Sequence, residues 1–153
     1  MNIILTSALS GIIFMFSGFV LKDKKKQSIL ATLLFVVMIL SAFFQLNGQE
    51  ILAGKYENMI VTDTYRVFFF IALCLIGIYY VLVNRKGFSK PGPMVSDYFA
   101  LIFISFTGIA VIASFNNLIL LFLGIEILSV PLYALAGSAK NKNKSTEAAV
   151  KYF

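Results

Sequence analysis

The chain has 153 residues, of which 59% are hydrophobic and 13% charged, with a formal net charge of +6 and a mean hydropathy of +0.89. This composition lies outside the range of soluble globular domains and marks a membrane protein. A single cysteine and no histidine exclude a disulfide framework, a zinc site and an iron–sulfur cluster built by this chain alone.

Five apolar runs follow one another, at residues 3–21, 28–46, 67–83, 98–114 and 118–136. Each reaches about 17 residues or more, enough to cross a bilayer as a helix. A chain this short has too little polar surface to bury all five in water. Hydrocarbon offers the backbone no hydrogen-bond partners, and the runs do not alternate strictly, so the predicted fold is an all-α polytopic transmembrane bundle. The first run is read as a membrane helix and not as a cleaved signal. No Lys or Arg precedes it, and its apolar part is longer than a signal core.

The connections differ in charge. The first holds Lys22, Lys24, Lys25 and Lys26, the third Arg85, Lys86 and Lys90, and the fifth Lys140, Lys142 and Lys144. The second sets Lys55 and Arg66 against Glu50, Glu57 and Asp63, and the turn at 115–117 is uncharged. The positive-inside rule then places the N-terminus outside and the lysine-rich loops in the cytoplasm. The same topology accounts for the KDKKK run, so no nucleic-acid partner is assigned.

Within the second connection, EILAGKYENMIVTDTY carries two short apolar runs separated by polar residues, compatible with a hairpin, an interfacial piece or an irregular loop. Asp63 and Arg66 read as interfacial anchors of the third helix, and Cys74 as a residue that simply packs within it. KPGP at 90–93 enforces a turn before the fourth helix. Asp97 favours that helix's N-terminus.

The fifth run, LFLGIEILSVPLYAL at 121–135, places Glu126 near the bilayer midplane, where an ionised side chain costs roughly 2.5–3.5 kcal/mol on insertion scales. Helical spacing puts Ser129 and Tyr133 on the face of Glu126, with Leu121, Leu128, Leu132 and Leu135 opposite. Pro131 has no N–H, so the carbonyl of Ile127 loses its helical partner and a bend is expected. Two readings stay open: a protonated or permanently paired carboxyl that holds helices together, or part of an ion or proton pathway. Low dielectric raises a carboxylate's proton affinity and an approaching cation lowers it, which is the physical basis of a relay.

The ending KSTEAAVKYF predicts a sixth helix capped by Ser145 or Thr146, with Glu147 near its positive end and Ala148, Ala149 and Val150 continuing it. It reaches only about two turns and reads as the truncated start of a longer segment. Lys151 is the cation available to a relay, and it is equally placed to pair with Glu147 and snorkel to the interface.

The segment NNLILLFLGIEILSVPLYALAG followed by STEAAVKYF resembles the subunit N family of proton-pumping NADH:quinone oxidoreductase, the respiratory complex I. DYFALIFISFTGIAVIAS is similar to that family's fourth helix, NMIVTDTYRVFFFIAL more loosely to the approach to its third, and the first two helices match in position. The resemblance implies a subunit of about fourteen helices, three leading ones followed by two inverted five-helix repeats with broken helices at the midplane. Residues 1–96 would then be the leading helices with their loops, and 97–153 the start of the first antiporter-like, proton-translocating repeat.

It further implies that Glu126 matches a glutamate whose lysine partner lies on a seventh helix absent here, and that Lys151 matches the family's sixth-helix lysine. Glu126 and Lys151 become proton-relay candidates, supported by Ser129, Pro131 and Tyr133 as polar stripe and helix break. The implied function is translocation of protons across the cell inner membrane, coupled to electron transfer from NADH to quinone in other subunits. Flavin, iron–sulfur clusters and quinone would belong to those subunits, and no Gly-rich nucleotide fingerprint occurs in this chain. Implied partners are the lipid bilayer and the neighbouring antiporter-like and small membrane subunits. The rival readings are a subunit of a multisubunit cation/proton antiporter and a non-pumping structural fragment.

Overall fold

The computed structural model describes residues 1–21, 23–49, 59–61, 63–84, 95–139 and 143–153. Lys22, the greater part of the second connection, the third connection with its KPGP turn, Lys140 and Lys142 lie outside the described residues. Among the described residues there are six helices: α1 (Asn2–Val20), α2 (Lys24–Leu46), α3 (Thr64–Asn84), α4 (Val95–Ala113), α5 (Leu118–Ala136) and α6 (Asn143–Tyr152). The first five are long and apolar enough to cross a membrane. Among the described residues no strand forms, and the chain is an all-α membrane bundle.

Packing centres on α4, which lies against α1 and α5 most extensively and also reaches α2 and α3. In lipid, apolar surface alone does not drive helices together, so shape and small residues decide which faces meet. The α1 face turned inward carries Ser7, Ser10 and Ser17, whose hydroxyls donate to the carbonyls of Ile4, Thr6 and Phe14 on their own helix. Each buried hydroxyl is thereby satisfied without a partner from another helix. Aromatic rings fill the space between: Phe14 sits 5.2 Å from Phe99 and 5.6 Å from Phe103, and Phe35 sits 4.7 Å from Phe103 and 5.0 Å from Phe106. Cys74 is buried in this core as a free thiol.

Polar contacts tie the helix ends. At the end of the bundle holding the N-terminus, Asn2 Nδ2 donates to the carbonyl of Gln49 at 2.6 Å, and the Ile3 N–H donates to Gln45 Oε1 at 3.2 Å. The second contact satisfies one of the free donors at the start of α1. At the opposite end, Asp23 caps α2 by accepting from the Lys25 N–H at 3.0 Å. There too the hydroxyls of Tyr80 and Tyr98 share a 2.6 Å hydrogen bond between α3 and α4.

The start of α6 differs from expectation. The helix begins at Asn143, so Ser145 and Thr146 lie inside it and Glu147 falls beyond its first turn. Ser145 does not act as a cap because its hydroxyl donates instead to the carbonyl of Ala136 at 2.7 Å, an end-of-helix acceptor of α5.

Candidate functional site

The helix carrying the candidate carboxylate is built from its first residue. The Asn117 side chain accepts from the Leu120 N–H at 2.8 Å, a standard N-cap, and the helix then runs through Pro131 to Ala136. Its seating against α4 is set by reciprocal glycines. A Cβ on Gly108 would stand 2.6 Å from the Leu128 nitrogen, and one on Gly124 would stand 2.8 Å from Ile112 Cγ1. Gly124 and Pro131 are buried on this side, and Leu121, Leu128, Leu132 and Leu135 are half-buried.

Glu126 is exposed on the flank of the bundle. Among the described residues its carboxylate enters no ion pair, the pairs present being Arg66–Asp63 and Lys151–Glu147. Ser129, predicted on the same stripe, donates its hydroxyl to the Glu126 main-chain carbonyl at 3.2 Å and not to the carboxylate. Serines in helices commonly bond back to a carbonyl three or four residues earlier. Tyr133 serves a different contact: its ring meets Tyr152 at 5.1 Å and Phe153 at 5.4 Å, docking α6 on the end of α5. Glu126 and Ser129 are therefore joined through backbone, while Tyr133 belongs to the α5–α6 contact.

Lys151 lies in the last turn of α6, where a cation suits the negative helix end. Its ammonium donates to Glu147 Oε1 at 2.6 Å, with both side chains largely exposed. No contact joins it to Glu126 among the described residues. Nor does any group of three or more His, Cys, Asp or Glu side chains there suit a metal ion.

A further polar cluster occurs where the approach to α3 meets the α4–α5 turn. Ile60 and Phe115 form an isolated antiparallel bridge, with the Val61 N–H donating to the Ser114 carbonyl at 3.0 Å and the Asn116 N–H to the Met59 carbonyl at 3.0 Å. Arg66 Nη1 donates to the carbonyls of Val61 at 3.1 Å and Phe115 at 2.8 Å. Its guanidinium lies 5.6 Å from the centre of the Phe115 ring, and its Nε is 3.4 Å from Asp63. Sequence reasoning treated Arg66 as an anchor and missed this bridge across 49 positions. The signal available was a cation in the first turn of a helix, where the helix dipole disfavours it.

A family model described as NADH:quinone oxidoreductase/Mrp antiporter, TM, matches residues 115–153, which include both Glu126 and Lys151. The chain is 36% identical over its full 153 residues to NADH-quinone oxidoreductase subunit N of Cytophaga hutchinsonii, covering 33% of that protein. It is 34% identical over 77% of its length to the subunit of that name in Flavobacterium psychrophilum, covering 26% of it. To the one in Helicobacter hepaticus it is 32% identical over 96% of its length, covering 30%. The chain thus spans about a third or less of the length of these curated relatives.

Proposed function

Because the chain belongs to the NADH-quinone oxidoreductase subunit N family, we propose that it works in the membrane arm of that enzyme. There it takes part in moving protons across the membrane as electrons pass from NADH to quinone in other subunits. The observation that carries this reading is Glu126: a carboxylate in the middle of a 19-residue apolar helix, exposed on the bundle's flank and five residues before a proline inside the same helix. Leaving such a group ionised in hydrocarbon costs roughly 2.5–3.5 kcal/mol, so it needs a cation, water or a proton beside it. A group that requires one of these, and exchanges them as its surroundings rearrange, is a proton relay.

In this reading Glu126 accepts and releases the proton. Pro131 leaves the Ile127 carbonyl free to hold water or a donor next to the path. Lys151 is a second relay group, released from Glu147 when a stronger acceptor approaches. Flavin, iron–sulfur clusters and quinone belong to other subunits, and neighbouring membrane subunits are the partners. The N-terminus faces outward and the lysine-rich connections face the cytoplasm.

Glu126→Gln in the assembled enzyme tests the proposal. NADH-driven proton pumping falls sharply while reduction of an artificial acceptor by NADH is unchanged; normal pumping in this variant removes Glu126 from the relay. The matching family description also covers Mrp antiporters, which favours cation/proton antiport as the second reading. Sodium-dependent proton exchange without NADH, lost in the same variant, would select it.

A further inference from the structure

From the cluster around the α4–α5 turn we propose that Arg66 is a positioning residue: it holds that turn against residues 59–61 and the first turn of α3, and so sets the depth and rotation at which α5 carries Glu126. This rests on the reading of Glu126 given above.

A guanidinium in the first turn of α3 works against the helix dipole, and the stability of α3 alone does not explain it. Its contacts lead elsewhere. One nitrogen reaches carbonyls from two separate segments, Val61 and Phe115, and the guanidinium also lies against the Phe115 ring. The planar fork of arginine suits simultaneous donation and ring contact in a way a lysine ammonium does not. The side chain is 30% exposed, so water screens these contacts only partly.

The turn it grips leads directly into α5. Phe115 is two residues before the Asn117 cap, and Glu126 lies nine residues beyond that cap, about 13.5 Å along the helix axis. A helix transmits displacement of its first turn as a rigid rod, so a shift of the turn reaches the carboxyl. Apart from the backbone bonds of the Ile60–Phe115 bridge, side-chain packing at that end is sparse: Leu118 and Ile119 are 80% and 77% exposed, and the buried positions of α5 begin at Gly124. The Arg66 bridge is thus the side-chain tie that joins these backbone bonds in holding the leading helices to the carboxylate-bearing helix.

The test uses the assembled enzyme in inside-out membrane vesicles. Arg66→Met and Arg66→Lys are compared with wild type in artificial-acceptor reduction, NADH-driven lumen acidification, and the infrared difference band of the Glu126 carboxyl, assigned as the one Glu126→Gln removes. Misplacing a reacting group by about 1 Å lowers rates by up to about 100-fold. The expected result for Arg66→Met is therefore unchanged acceptor reduction, a several-fold loss of acidification and a shifted carboxyl band, with Arg66→Lys intermediate. Wild-type acidification together with an unshifted band in Arg66→Met overturns the proposal. If Arg66→Met does not assemble, Arg66→Lys decides by the same readouts; if neither assembles, Arg66 is a folding residue and the proposal falls.

Should Glu126→Gln itself pump normally, the functional reading fails, and the positioning claim is read separately. Nitroxides on Tyr65→Cys and Leu118→Cys, both at exposed positions, in a Cys74→Ala background give the α3–α5 distance. A broadened distribution in Arg66→Met supports the tie, and an unchanged one overturns it.

Discussion

Helices α4 and α5 are each 19 residues long, overwhelmingly apolar and joined by a short turn, yet α4 buries nine of its residues and α5 only Gly124 and Pro131. Hydropathy does not distinguish them. What differs is position: α4 is wrapped by α1, α2, α3 and α5, whereas α5 rests on α4 and α6. Leu118, Ile119, Phe122, Leu123 and Ile125 remain exposed beside Glu126. Crossing a membrane requires apolar side chains all round, whether lipid or protein will cover them. The contrast teaches that an apolar run states the solvent of a helix and leaves its neighbours undetermined.

The contrast is broken most severely by emptying the centre. Phe103→Ala removes a fully buried ring packed between Phe14 and Phe35, and is expected to destabilise the purified chain in micelles by the lower part of about 3–5 kcal/mol. The lower part applies because the unfolded helix in a micelle still keeps the ring from water. Denaturant titration measures it, and a change near zero would show that the aromatic core carries no packing energy.

Next in size is Gly108→Val. Its new Cβ meets the Leu128 backbone at 2.6–2.8 Å, which cannot yield without moving α5 away. The expected loss is about 1–3 kcal/mol, accompanied by weaker cross-linking between cysteines placed on α4 and α5. A third change tests the open side: Leu123→Ala, at a position 49% exposed, shifts stability of the chain by less than about 0.5 kcal/mol. A loss several times larger in the assembled enzyme would identify this surface of α5 as an interface, sharpening the comparison with α4.

The smallest effect belongs to Glu147→Gln. The pair with Lys151 is short at 2.6 Å, but its side chains are 62% and 74% exposed, so its loss is worth about 0.3–0.5 kcal/mol at most. Thermal titration of the chain at low and high salt checks this. Salt screens the exposed pair, so the wild type and the variant should converge as salt rises.

Reading the sequence located every membrane helix to within a few residues, because a long uncharged run has only one economical fate in hydrocarbon. The ends were less legible. α3 starts at Thr64, ahead of its apolar run, and α6 starts at Asn143 because Ser145 bonds to α5 instead of capping its own helix. In the candidate site, Glu126 stood out by chemistry alone, since a carboxylate in an apolar helix is conspicuous. The separation of Ser129 from Tyr133 did not stand out: helical spacing gives a shared stripe but not which hydroxyl turns to its own backbone and which ring meets the next helix.

By itself, then, the sequence determined the solvent and the order of the helices among the described residues, and the presence of a carboxylate midway along the fifth. These depend on local composition, summed over a span. Tertiary structure decided that α4 is central and α5 peripheral, that Gly108 and Gly124 set their approach, and that Arg66 ties the α4–α5 turn to the entrance of α3. Those outcomes depend on close shape and on single donors meeting acceptors dozens of residues away, and no local pattern along the chain encodes such meetings.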